Sequence, residues 1–271
     1  MRAGGLTLAA AGLVAVQVAL ALGADLVAPF DPVHQDILAR LKGPSAAHLL
    51  GTDQLGRDVL SRILHGYRTA LLACGVAVGL ALAAGGTLGL LAAYYRGLTD
   101  RIVMRLMDVL FAFPVMLLAI GVIAVLGPRT ESAAIAIAVV YTPIFARLVR
   151  GPALVVCDSE YVEAARAIGA SDLRIMARHV LPNLASVILV QTSLLLSAAI
   201  LVEASLSFLG LGTQPPTPSL GLMLAEGRNF VLLSPWSAIF AGLAILFLSF
   251  GFNLLGDALR DRLDPRLAGR G

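Results

Sequence analysis

The amino-acid sequence predicts an all-α integral membrane protein. Of its 271 residues, 58% are hydrophobic and only 14% are charged, whereas soluble domains carry about 25% charged residues. Six apolar stretches also have lengths close to the about 20 residues that a helix needs to cross the hydrocarbon core of a bilayer. We therefore expect six transmembrane helices in a single domain covering residues 1–271.

The expected spans follow one another along the whole chain, at 3–24, 69–95, 109–126, 132–146, 184–202 and 236–256. They divide the domain into a first span (3–24), an outer loop (25–68), a five-helix core (69–257) and a tail (258–271). The fourth span is short, and it reaches across the bilayer if Arg147 extends towards the membrane surface.

The first span has an alternative interpretation as a cleaved signal peptide. Arg2, the apolar run after it and the small residues Ala21, Gly23 and Ala24 are the ingredients of such a signal. The uncharged run is longer than the roughly 7–15 apolar residues of a signal peptide. We therefore expect a retained helix.

The placement of Lys and Arg predicts the orientation. With the amino terminus inside, thirteen of these residues fall on the inner side and seven on the outer side. Five of the seven lie in the long loop 25–68, where the positive-inside rule is weakest. Both termini and the loop 150–183 are therefore expected to face the cytoplasm.

Small residues predict close helix packing in the second span. Gly75 with Gly79, Gly85 with Gly89, and Ala81 with Gly85 each lie four residues apart. Such pairs allow two helix backbones to approach closely in lipid. The alternative is a glycine-rich span without a specific partner.

Charged residues near the spans give further candidates. Asp108 and Asp257 lie at span edges, where we expect interfacial charges. Glu203 follows an uncharged run and precedes more apolar residues, so we expect it to face protein or a water-filled cavity, because a carboxylate in lipid is costly. This position predicts a pathway or subunit-interface role.

The segment 54–68 has an amphipathic helical pattern suited to the outer membrane surface.

The loop between the fourth and fifth spans is predicted to form two short helices. Asp158 or Ser159 can cap the first, and Gly169 stands where a left-handed residue is needed. Ser171 can cap the second helix, and Pro182 is expected to end it. In the first helix Val162, Ala165 and Ile168 are expected on one side, with small alanines between them.

This loop resembles the Glu-Ala-Ala loop of bacterial ABC importer permeases. The match consists of Glu163-Ala164-Ala165, Gly169 four residues later, and Leu181-Pro182 at the family's distance. In that family the loop is the coupling helix that docks on a cytoplasmic ATPase. The docking residues that the resemblance implies are Glu160, Tyr161, Glu163, Ala164, Ala165, Arg166, Gly169, Leu181 and Pro182.

Other segments resemble the peptide/nickel branch of the same family. They are RHVLPN at 178–183, LGTDQLGRD at 50–58, EASLSFLGLG at 203–212, NLLGDALRD at 253–261 and DPR at 264–266. Two departures are the very short segment before the first span and Leu220, which replaces a common Trp.

The resemblance implies a six-transmembrane-helix permease of the type I ABC importer kind, with a cytoplasmic coupling-helix loop at 150–183. It further implies a multi-pass protein of the bacterial cytoplasmic membrane. The implied partners are a second homologous permease, two ATPase subunits, an extracytoplasmic binding protein and the lipid bilayer. The substrate class is peptides (dipeptides or oligopeptides), with nickel as the alternative.

The sequence offers no sign of an enzyme, and we expect no cofactor, metal site or catalytic residue. GxxxxGK[ST], which binds nucleotide phosphates, is absent, and the single lysine is Lys42 in the outer loop. The four histidines are scattered, Cys74 and Cys157 suggest no disulfide, and no basic patch suggests nucleic acid. A stand-alone channel, an ion-coupled transporter and a membrane enzyme are the weaker alternatives.

Overall fold

The computed structural model describes residues 2–263, and within that range β-type pairing is limited to an isolated bridge between Thr52 and Asp58. The motif at 264–266 and the basic residues Arg266 and Arg270 lie outside the described residues. The helices in chain order are α1 (Arg2–Leu22), α2 (Ala24–Val27), a 3₁₀ turn (Ile37–Ala39), α3 (Val59–Ala81), a π-helical turn (Leu82–Gly86), α4 (Thr87–Tyr95), α5 (Gly97–Phe111), α6 (Val115–Leu126), α7 (Thr130–Cys157), α8 (Glu160–Ala167), α9 (Asp172–Ile175), a second π-helical turn (Met176–Val180), α10 (Leu181–Phe208), α11 (Leu220–Arg228) and α12 (Trp236–Leu263).

Four helices of the described region are long and apolar enough to cross a bilayer. They are Val59–Tyr95, Thr130–Cys157, Asp172–Phe208 and Trp236–Leu263. The bent pair α5 and α6 adds a fifth if it is counted as one span, and the apolar part of α1 (Thr7–Leu22) is shorter. The all-α membrane fold is therefore confirmed.

The third expected span, 109–126, is not a continuous helix. α5 ends at Phe111, α6 begins at Val115, and the two are bent by 93°. Pro114 is the physical reason, since it has no backbone N–H and disfavours helical geometry at Phe113 before it. The mean hydropathy of residues 109–126 does not reveal this break.

α5 is held against α7, which is longer than the expected fourth span. The Arg147 guanidinium lies 2.6 Å from the Asp108 carboxylate, and that of Arg150 lies 2.5 Å from the Asp100 carboxylate. Arg147 also lies over the Phe111 ring. These contacts fix α5 beside α7 immediately before the bend.

The expected surface helix at 54–68 is instead the beginning of the long membrane helix. α3 starts at Val59, and the Asp58 carboxylate accepts a hydrogen bond from the Ser61 N–H. Arg62 is only 1% exposed rather than facing water. Its guanidinium and that of Arg57 lie between the carboxylates of Asp53 and Glu226. Buried charges need such partners, so this cluster fastens the outer loop and α11 to α3.

The first helix packs against the last one. The Gln17 side-chain amide donates to the Phe247 carbonyl at 2.7 Å, and Gly251 leaves room for the Gln17 side chain. In α2, just after the end of α1, hydrogen bonds from Arg68 and His65 lower the pKa of Asp25. Gln17 thus joins α1 to α12, and retention of the first helix stays a prediction.

The glycine pairs of α3 and α4 have different environments. Gly85 lies against the Thr142 carbonyl of α7, and Gly89 lies against the Ala146 carbonyl of the same helix. Gly75 and Gly79 have open space where a Cβ would be. Close packing is therefore confirmed for the second pair, and the first pair faces outward from the subunit.

Candidate functional site

The predicted coupling loop forms two short helices joined by a left-handed glycine. α8 begins after Ser159, Gly169 has φ +84°, and α9 begins after Ser171. This confirms the predicted turn. Neither serine side chain caps its helix, and the Ser159 hydroxyl instead donates to the Val156 carbonyl.

Pro182 does not end the second helix. α9 continues through the π-helical turn Met176–Val180 into α10, so Pro182 lies in the first turn of the long helix. A proline clashes with the carbonyl four residues before it in a regular α-helix, and a widened turn is one way to absorb such an irregularity. The Asn183 side-chain amide donates to the His179 carbonyl at 2.6 Å and to the Tyr161 hydroxyl at 3.1 Å. Residues of the RHVLPN motif thus hold α8 against the start of α10.

Beneath the two helices lies a hydrophobic cluster separate from the main core. We call it the loop cluster, and its buried members come from α4, α7, α8, α9, the second π-helical turn and α10: Ala93, Val149, Ala153, Cys157, Val162, Ala165, Ile175, Val180 and Leu184. Packing against the three membrane helices α4, α7 and α10 holds the loop in a fixed position, because such packing cannot slide without opening voids. The loop is therefore a rigid projection of the bundle.

The face that points away from the bundle is charged at its edges and apolar at its tip. Glu160, Tyr161, Glu163, Ala164 and Arg166 are exposed, as are Gly169, Leu181 and Pro182. Among the residues that the resemblance implies for docking, Ala165 is buried in the loop cluster. Ala165 therefore packs α8 against the bundle and does not face outward.

Two apolar residues beside the turn were not identified as docking candidates from the sequence. Ile168 is 85% exposed and Leu173 is 73% exposed. Ile168 was expected on the same side of the helix as Val162, but α8 ends at Ala167 and the helical periodicity stops there. Exposed aliphatic side chains flanking a glycine turn are the signal that would have found them, because they suit burial in a partner's groove.

Glu203 lies inside the subunit, at the junction of α10 with α11. Its side chain is 2% exposed, and the Ser207 hydroxyl donates to its Oε1 at 2.7 Å. Ser219, the residue before α11, is also buried. The Glu203 carboxyl group therefore avoids lipid, as expected from its cost there, and its pathway or interface role stays a prediction.

Substitution of Glu203 separates a structural role from a charge role. Glu203→Gln keeps an acceptor for Ser207, so we expect a normal melting temperature in detergent. Glu203→Leu leaves the hydroxyl without its acceptor, and we expect a loss of about 1–3 kcal/mol in stability. A Gln variant that folds normally but does not transport would show that the charge acts on the substrate or the gate. A Leu variant as stable as the parent would contradict the structural role.

Within residues 2–263 no group of three or more His, Cys, Asp and Glu side chains is placed to hold a metal ion. The candidate site is an exposed surface of the loop on a helical membrane protein, and its docking role stays a prediction. The family whose model matches residues 85–269 is described as the inner membrane component of binding-protein-dependent transport systems. The chain belongs to this family.

Two characterised relatives are similar along most of the chain. The glutathione transport system permease protein GsiD of Pectobacterium atrosepticum is 50% identical over 260 residues, covering 95% of this chain and 86% of the relative. The dipeptide transport system permease protein DppC of Alkalihalophilus pseudofirmus is 46% identical over 228 residues, covering 84% of this chain and 75% of the relative.

A solved structure supports the fold. The chain resembles a chain of the MetNI methionine ABC transporter, solved in inward-facing conformations, with a TM-score of 0.61 and 18% identity. The match covers 75% of this chain and 96% of the other. At this identity the likeness concerns the fold alone.

Proposed function

We propose that this chain is a permease subunit of an ATP-driven importer and forms part of the translocation pathway for small peptides. The observation that carries the proposal is 46–50% identity, over most of the chain, to permeases named for dipeptide and glutathione transport. Both named substrates contain peptide linkages, which favours peptides over nickel. This subunit is a non-catalytic part of the transporter, and ATP hydrolysis occurs in separate subunits.

The proposed assembly contains a second homologous permease, two cytoplasmic ATPases and an extracytoplasmic binding protein. The exposed face of α8 and the tip at Ile168 and Leu173 supply the surface for one ATPase. The main hydrophobic cluster fills the space between α3, α7, α10 and α12. This filling favours a pathway between two permeases over one through a single subunit.

We further propose six membrane spans with both termini in the cytoplasm. The lower number of basic residues on the outer side supports this orientation. The hydrogen bonds of Thr7 with the Ala258 carbonyl and of Gln17 with the Phe247 carbonyl pair α1 with α12 in opposite directions, which favours both termini on the same side. Ser171 is exposed in the loop, whereas the native cysteines are both buried. A Ser171→Cys variant should therefore react with an impermeant thiol reagent only after the membrane is opened. Labelling in sealed cells would contradict the orientation.

Uptake by the assembled transporter tests the function. The chain is produced together with the second permease, ATPase and binding-protein subunits of the proposed assembly, and reconstituted in vesicles. We expect uptake of a labelled dipeptide or glutathione that requires ATP and the binding protein, and no uptake of labelled nickel. Uptake that persists without the ATPase subunits would indicate a channel or an ion-coupled transporter instead.

A further inference from the structure

The corner between α4 and α5, residues 94–97, contacts the coupling loop through side chains. The Tyr94 hydroxyl donates to Asp172 Oδ1 at 2.7 Å, and the Tyr95 hydroxyl lies 3.3 Å from Oδ2 of the same carboxylate. The Arg166 guanidinium lies over the Tyr94 ring, 5.1 Å from its centre. Tyr94 therefore touches both helices of the loop.

The same corner is tied to the beginning of the loop. Arg96 has φ +52°, and its guanidinium donates to the Asp158 carboxylate at 2.5 Å and to the Leu154 carbonyl at 3.5 Å. A left-handed conformation is unfavourable for a non-glycine residue. Arg96 adopts this conformation where it makes its two contacts with the end of α7. The corner is therefore held to residues before α8, at Leu154 and Asp158, and to a residue after it, Asp172.

The corner continues directly into a membrane helix. Tyr94 and Tyr95 end α4, which follows the π-helical turn Leu82–Gly86 and α3 in a helix that reaches back to Val59. Ala93 in α4 is fully buried in the loop cluster, and Gly89 one turn earlier lies against the Ala146 carbonyl. A rigid loop bonded to this corner cannot move without moving α4, because close-packed interiors transmit displacement.

We propose that Asp172 is a positioning residue that, through the Tyr94 hydroxyl, couples movement of the coupling loop to the membrane helix Val59–Tyr95. The inference rests on the proposed function, since the loop's movement would come from the docked ATPase. Asp172 does not form the docking surface in this scheme. It fixes how far and in which direction α8 and α9 pull on the end of α4.

The test uses the complete reconstituted transporter and measures substrate molecules taken up per ATP hydrolysed. Tyr94→Phe removes the hydroxyl but keeps the ring beneath Arg166, and Asp172→Ala removes the acceptor. For each variant we expect normal co-purification of the ATPase subunits and uptake per ATP reduced about fivefold or more, within the range seen for residues between coupled sites. Tyr95→Phe is the matched control, because it removes a hydroxyl with the longer contact and should have the smaller effect.

The double variant Tyr94→Phe/Asp172→Ala decides whether the two residues act through one contact. We expect it to be no worse than the more severe single variant, since the contact can be lost only once. The inference would be overturned if the loss of uptake per ATP in the double variant equalled the product of the two single losses. It would also be overturned if both single variants showed the same uptake per ATP as the parent. Failure of the proposed function has a different signature, because the parent would then bind no ATPase or show no ATP-dependent uptake.

Discussion

Gly169→Val is expected to impair ATP-driven uptake strongly while the subunit still inserts in the membrane. Gly169 has φ +84°, and a Cβ built on it would have nothing within 4 Å. The effect is therefore conformational and not a clash. A left-handed backbone costs an L-residue about 1–2 kcal/mol, and a β-branched residue there is a clear outlier. The loop would relax by turning α8 away from the orientation that presents Ile168 and Leu173.

Two controls make this prediction specific. Gly169→Asn should retain most uptake, because asparagine tolerates the left-handed region. Gly151→Val places the same side chain at an exposed helical glycine with open space and no positive φ, so uptake should change little. Uptake and ATPase co-purification are measured side by side. If Gly169→Val binds the ATPase and transports like the parent, the turn does not orient the docking surface.

The sequence predicted the elements whose signals are local. The Gly169 turn and the two helices around it follow from residue preferences within a dozen positions, and apolar composition identified the long helices. Motifs spread from Leu50 to Asp261 then indicated the family, which the comparisons confirmed.

Most of what the sequence did not predict depends on contacts between distant residues. Arg62 looks like a solvent-facing charge until Glu226, which lies far along the chain, is placed beside it. Composition also averages over a single proline, so the 93° bend at Pro114 was missed. The contact of Asp172 with Tyr94 was not predicted either, because nothing local in the sequence connects the two residues. The contacts of Arg62 and Asp172 are tertiary effects, and a hydropathy pattern carries no information about them.

Gly89→Ala is expected to destabilise the subunit strongly, although it adds a single methyl group. A Cβ on Gly89 would overlap the Ala146 carbonyl oxygen, with two further Ala146 backbone atoms close by. Helix backbone cannot retreat as the end of a flexible side chain can. Overpacking in a filled core costs about 1–3 kcal/mol, and α4 and α7 would also lose the close backbone contact that holds helices together in lipid.

Gly79→Ala is the matched control in the preceding helix, since the same methyl group would meet open space. Its melting temperature should equal or exceed that of the parent, because alanine is about 0.5–1 kcal/mol better than glycine within a helix. Melting is followed on the isolated subunit in detergent, so that contacts with a second permease do not contribute. We expect Gly89→Ala to melt several degrees lower, and its rigid displacement of α4 should also separate Tyr94 from Asp172. Equal melting temperatures for the two alanine variants would mean that α4 and α7 are not in backbone contact at Gly89.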